Sequence, residues 1–200
     1  MLGVVAQTDQ GRLDGQTAAV GADIYNCDSI ETDQNGSFHA TIGPSQIFLG
    51  PLSYAQLEDE GGNAVQGLAI SGTIGFSLAS GPDFTVLTPA GILRSATGGQ
   101  AAGQVVYRGP HELIISAIHG DLILDHGGEL RTIPEGKSAD VTFQGDIGNS
   151  CHEGGPYENG NETSALRRPI GFYILGGVGA GLAVYLIVKA LCESPSGTSN

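Results

Sequence analysis

Residues 170–188, IGFYILGGVGAGLAVYLIV, run for 19 positions without a charge, Asn, Gln, Pro or His. As an α-helix rising about 1.5 Å per residue, the run is roughly 28 Å long, close to the hydrocarbon thickness of a bilayer. Tyr173 and Tyr185 stand near its ends, where amphipathic rings favour the membrane interface. Pro169 suits a first helical turn, where its missing N–H costs nothing. Arg167 and Arg168 bound one side, Lys189 and Glu193 the other. Helices buried in soluble cores are usually shorter and carry a polar face, so the run reads as one transmembrane helix over residues 169–191. Residues 192–200 are then a short polar tail. Gly177 and Gly181 make a GxxxG step, flanked by Gly176 with Ala180 and Gly179 with Ala183. Small residues at that spacing let two helices approach closely, so the span allows a homodimer through Gly177 and Gly181.

Ahead of the span, residues 146–168 are polar, rich in Gly and Asn, and free of any apolar period, which reads as a flexible stalk. Residues 1–145 differ again. Short apolar runs recur between turn signals, and several alternate apolar with polar residues, as in residues 37–42 (SFHATI) and 140–144 (DVTFQ). Period two argues for half-buried strands. Asn35-Gly36 is a hairpin turn signal, and Gly43-Pro44, Gly50-Pro51, Gly81-Pro82 and Gly109-Pro110 stop elements. No window before residue 166 offers a convincing amphipathic helix. The expected fold is mainly β: an antiparallel β-sandwich or β-roll followed by one C-terminal transmembrane helix. About 145 residues suffice to bury a core without a metal or disulfide.

Charge narrows the function classes. The chain has 21 acidic and 8 basic side chains, a formal net charge of −13, and no basic run, so it lacks the electrostatic footprint of a nucleic-acid binder. Its 40% hydrophobic content excludes a disordered acidic tail, and 3 cysteines are too few for a disulfide-built miniature scaffold.

Residues 15–57 resemble the FecR-like extracytoplasmic domain of bacterial sensor and regulator proteins. The family's G-x-x-I step, nearby Thr, Gly-Ser hairpin and short apolar strand read here as Gly21-Ala22-Asp23-Ile24, Ser29-Ile30-Glu31-Thr32, Gly36-Ser37 and Ile47-Phe48-Leu49-Gly50. Farther on, Val86-Leu87-Thr88-Pro89-Ala90-Gly91, residues 113–122 and Thr132-Ile133-Pro134-Glu135-Gly136 resemble the later β repeats, for a coverage of about 130 residues. The resemblance implies a periplasmic or surface β domain used for protein contact and signalling, with no catalysis and no fixed cofactor. In the better-known members the span precedes the β domain, whereas here it follows. The sequence also shows no segment that reads as the family's cytoplasmic anti-sigma part, and for that second reason regulation of a sigma factor is not carried over.

Two signals oppose each other on orientation. The resemblance places the β domain outside the cytoplasm, while Arg167 and Arg168 before the span outnumber Lys189 after it. The first residues, MLGVVAQTDQG, have no basic n-region and too short an apolar run for a signal peptide, so either an export signal lies upstream or the chain is tail-anchored and faces the cytoplasm. An acidic, Gly-rich β domain with few lysines favours the extracytoplasmic side. Of the cysteines, Cys192 follows the span and could accept a lipid or remain free. Cys27 and Cys151 could pair in an oxidising compartment, but spacing alone does not fix their distance.

The densest polar cluster is residues 119–126, HGDLILDH. On a strand His119, Asp121 and Asp125 would share a face, yet Ile123 interrupts it, His126 points away, and the spacing matches no metal motif. A turn with outward polar residues accounts for it. Glu58-Asp59-Glu60, before Gly61-Gly62, reads as a solvated loop rather than a carboxylate pair. No GxSxG elbow is present, and Thr97-Gly98-Gly99 lacks the following Lys-Ser or Lys-Thr of a phosphate loop. Asn161-Glu162-Thr163 is a glycosylation sequon of consequence only in a eukaryotic secretory pathway. No catalytic, cofactor or metal residue is assigned. The expectation is a non-catalytic, membrane-anchored module that binds a protein or an envelope polymer, with β-augmentation at edge strands as a contact mode. Alternatives are a self-assembling structural envelope protein and a carbohydrate-active enzyme.

Overall fold

A computed structural model describes residues 1–61, 64–81, 84–144, 151 and 171–175. All regular structure in them is strand: β1 (Gly3–Leu13), β2 (Gln16–Thr17), β3 (Asp23–Ile24), β4 (Ser29–Ile42), β5 (Ser45–Leu49), β6 (Tyr54–Gly61), β7 (Ala64–Ser71) and β8 (Thr73–Leu78). The series continues with β9 (Phe84–Thr88), β10 (Gly91–Ser95), β11 (Ala101–Gly109), β12 (Glu112–His119), β13 (Leu122–His126), β14 (Glu129–Ile133), β15 (Ser138–Thr142) and β16 (Gly171–Leu175). They form one nearly closed, barrel-like sheet in the order β14-β13-β10-β9-β7-β6-β4-β5-β8-β11-β12-β15-β16, with β1 along β4 and β2 and β3 beside β1.

In strands such as β4, β9 and β13 the alternation read from the sequence places every other residue in one core. Strand β4 buries Ile30, Phe38, Ala40 and Ile42, β8 buries Ile74, Phe76 and Leu78, and β13 buries Leu122 and Leu124. The two halves of the sheet meet closely. A Cβ built on Gly103 of β11 would lie 2.7 Å from both Leu122 Cδ1 of β13 and Phe76 Cζ of β8.

Strand β4 belongs to both halves: Ser29–Glu31 pair with Tyr54–Gln56, and Phe38–Ile42 pair with Ser45–Leu49. Asn35-Gly36, expected as a hairpin turn, lies inside this continuous strand. Strand β1 pairs on both sides of it, at Asp9↔Ser37 and Gly11↔Thr32, so Asp33–Gly36 bulge opposite Gln10. A Cβ on Gly36 would stand 2.7 Å from Asp33 N and 2.8 Å from Gln10 O. The glycine thus permits a bulge, which bends a strand without reversing it. Gly43-Pro44 and Gly109-Pro110 do end their strands, as expected. Pairing is antiparallel throughout, except that β7 and β9 run parallel, a departure from the wholly antiparallel expectation. Glu58 and Asp59, expected in a loop, lie within β6 opposite Gln66 and Val65.

The two ends of the strand order, β14 and β16, are bridged by side chains: the Arg131 guanidinium lies 5.9 Å from the Phe172 ring centroid. Residues 171–175 were expected to open the transmembrane helix, and they instead pair with β15 from Thr142↔Gly171 to Ser138↔Leu175. Phe172, Tyr173 and Ile174 have high strand propensity, and a short apolar run does not reveal by itself whether it is helix or strand. The rest of the expected helix, the tail with Cys192, and the stalk apart from Cys151 lie outside the described residues. Among those described, no helix is long and apolar enough to cross a membrane.

Candidate functional site

At the open end of β7 the sheet leaves a groove of about 660 Å³ lined by Tyr54, Leu68, Ile70, Pro89, Tyr107 and Phe143, with Ser71 and the β11–β12 tip, Arg108, Gly109 and Pro110. Two bulges build it. Tyr54↔Ser71 is followed by Ala55↔Ala69, which leaves Ile70 as an extra residue in β7. Tyr107↔Leu113 is followed by Gly109↔Glu112, which leaves Arg108 as an extra residue in β11. A bulge re-aims the side chain it carries, and here both extra side chains line the same groove.

Tyr54, Tyr107 and Phe143 are the aromatic part of the wall. Phe143 meets Tyr107 edge to face at 6.5 Å between centroids and His111 at 5.9 Å. Its N–H donates to the His111 carbonyl at 3.0 Å. The Tyr107 N–H donates to Gly72 O at 2.9 Å, and its hydroxyl donates to Ala69 O. Burial pushes the Tyr107 pKa up, because a phenolate there would lose its hydration. Since the folded value is raised, the associated stability is present below the unfolded value of about 10 and is lost as pH rises beyond it. Tyr107→Phe leaves Ala69 O without its donor, and its expected cost at neutral pH is about 1–3 kcal/mol. The gap between wild type and variant should then shrink above pH 10 by up to about 1.4 kcal/mol per pH unit. Denaturant titrations of both proteins from pH 8 to 11 check this, and a constant gap would show the hydroxyl to be hydrated.

Arg108 supplies the groove's charge. Among the described residues, Arg12 meets Asp33 at 3.1 Å, Arg94 meets Asp125 at 3.5 Å and Arg131 meets Glu129, whereas no described carboxylate contacts Arg108 or lines the groove.

The polar cluster of residues 119–126 is distributed differently. His119 lies 3.4 Å from Glu135, and Asp121 accepts the Glu135 N–H at 2.8 Å. Asp125 faces Arg94 and accepts the Gly128 N–H, while His126 is buried with Nδ1 2.8 Å from Ala90 O. Among the described residues no three His, Cys, Asp or Glu side chains are grouped to hold a metal.

Cys27 and Cys151 form a disulfide, with Cα atoms 5.4 Å apart. The Cys27 end is held by β6: its N–H donates to Leu57 O at 2.8 Å and its carbonyl accepts from Gln56 Nε2 at 2.9 Å. Compared with known protein families and with curated proteins, the chain matches none.

Proposed function

We propose that this chain is an extracytoplasmic, non-catalytic β-domain module, similar in use to FecR-like domains, which binds another protein through the groove and is tethered to a membrane by its C-terminal apolar run. The observation that carries the reading is the convergence of two bulged residues, Ile70 and Arg108, on an aromatic-walled groove. Bulges interrupt a ladder, and sheets tend to keep them where a side chain must be presented to something else. The Cys27–Cys151 bond supports the compartment, since disulfides persist where the surroundings are oxidising.

The tether makes a structural demand. With residues 171–175 in β16, residues 176–188 leave 13 of the 19 apolar positions, about 20 Å of helix against the roughly 30 Å of a bilayer core. A full span therefore requires β16 to leave β15. Full-length protein is expected in the membrane pellet after alkaline extraction, with the β domain cleaved by protease added to the outside of cells whose outer layer is opened. A photo-crosslinking residue in place of Tyr54 is expected to capture a protein in those membranes. If no adduct forms and the domain instead turns over a small molecule, the binding-module reading fails. Self-assembly is a second reading, favoured by the uncharged edge strand β16, where Tyr173 is 71% and Ile174 52% exposed.

A further inference from the structure

Resting on the binding-module reading, we infer that the occupant of the groove is an extended protein segment with alternating apolar side chains and one acidic side chain that meets Arg108. Three features lead there. The first is the unfinished ladder at β7. On one side β7 pairs with β6 as far as Ser71, but on the other its pairing with β9 stops at Leu68↔Leu87. Pro89 follows β9 and has no N–H with which to prolong the ladder. The Tyr107 hydroxyl already stands in for a missing strand at the Ala69 carbonyl. With the Ala69 and Gly72 carbonyls taken by the Tyr107 hydroxyl and N–H, an extended segment adds to this edge at Ile70 and Ser71, a short form of β-augmentation.

The second feature is the lining. Besides Arg108, side-chain polar groups on the walls come from Ser71 and Tyr54, since the Tyr107 hydroxyl is committed to Ala69. A sugar ring would bring many hydroxyls into this space with too few partners, and each one buried unpaired is costly. Aliphatic and aromatic side chains have no such requirement, and a groove of about 660 Å³ is of ligand-binding size.

The third is charge. Among the described residues no carboxylate lines the groove, and its exposed Arg108 guanidinium contacts no described carboxylate. Such a group forms a charge-assisted, fork-shaped pair with a carboxylate, shorter and stronger than a neutral hydrogen bond.

The test uses full-length, oxidised protein in detergent and a set of labelled octapeptides, N-acetylated and C-amidated, with alternating Val, Phe and Thr. Each carries a single Glu at one position, and each has a Gln twin. A free-carboxylate set without Glu and a panel of cello- and chito-oligosaccharides complete the probes. Fluorescence anisotropy is expected to show at least about ten-fold tighter binding of the best Glu peptide than of its Gln twin. Arg108→Gln should bring the twins to equal affinity without moving the melting temperature, and Arg108→Lys should restore part of the difference. Equal affinity of the twins for wild type overturns the inference. So does a free-carboxylate peptide that matches the Glu peptide, which would make the ligand a chain end. Binding of oligosaccharides in place of peptides also overturns it, while leaving a binding module that takes a glycan. No adduct at position 54 and no bound probe overturn both readings together.

Discussion

Opening the Cys27–Cys151 bond is expected to lower the folding free energy by about 2–5 kcal/mol. The two residues are 124 apart in sequence, so the oxidised unfolded chain is closed into a long loop. In the chain-entropy picture a loop of that length is worth close to 5 kcal/mol, with measured values often lower. The hydrogen bonds that hold the Cys27 backbone to Leu57 and Gln56 do not depend on the sulfur. The effect should therefore arise mainly in the unfolded ensemble, with the folded sheet unchanged. In a chain of this size each kcal/mol corresponds to about 2–4 °C of melting temperature, so Cys27→Ser and Cys151→Ser should each melt roughly 5–15 °C below oxidised wild type. Reductant should lower wild type to the level of the variants and leave the variants where they are. Unfolding midpoints of wild type that coincide with and without reductant would show that the bond is not part of the folded protein.

Phe76→Ala should produce a loss of similar size, about 3–5 kcal/mol, by leaving a cavity where the two halves of the sheet meet. Phe76 is fully buried, and its ring reaches to 2.7 Å from the place a Cβ on Gly103 would occupy. Gly103→Ala meets that ring, Leu122 Cδ1 at 2.7 Å and the Ser116 carbonyl oxygen at 2.8 Å. The two side chains can shift, but the carbonyl belongs to the β11–β12 ladder and gives way poorly. Overpacking here is expected to cost about 1–3 kcal/mol. In the double variant the new methyl enters space vacated by the ring, so the combined loss should fall short of the sum of the single losses. Denaturant unfolding of the four proteins reads this directly, and strict additivity would mean that Phe76 and Gly103 do not share the contact.

Much of the sheet is legible in residues that alternate. The run FTVLT is β9, and ILRS, LIISAIH and LILDH fall within β10, β12 and β13, because burial of every second side chain writes itself into the sequence. Where an element depends on its partner, that signal fails. Asn35-Gly36 carries the chemistry of a turn, but pairing of β1 along β4 turns it into a bulge. Residues 67–79 read as one apolar run, yet Gly72 at φ +81° divides it between β7 and β8. The groove was invisible for the same reason. Ile70 and Arg108 are unremarked until the register shows each to be the extra residue of its ladder, and nothing local distinguishes them from neighbours. The cysteines were visible but their distance was not, since Cys151 lies far along the chain from β6. At β16 a apolar segment suited to lipid also suits an edge of the sheet, and only the free side of β15 distinguishes the two uses.

The 124-residue separation of the bonded cysteines also sets a timetable for biosynthesis. At about 5–20 residues per second, Cys27 leaves the ribosome some 6–25 s before its mate. For that interval it is an unmated thiol, while strands β4 to β15 are laid down around it. Cys192 follows only 41 positions after Cys151, so an oxidant acting late encounters three thiols and can form a wrong pair. In the folded sheet the hydrogen bonds from Cys27 N–H to Leu57 O and from Gln56 Nε2 to the Cys27 carbonyl hold that cysteine's backbone where its mate Cys151 meets it.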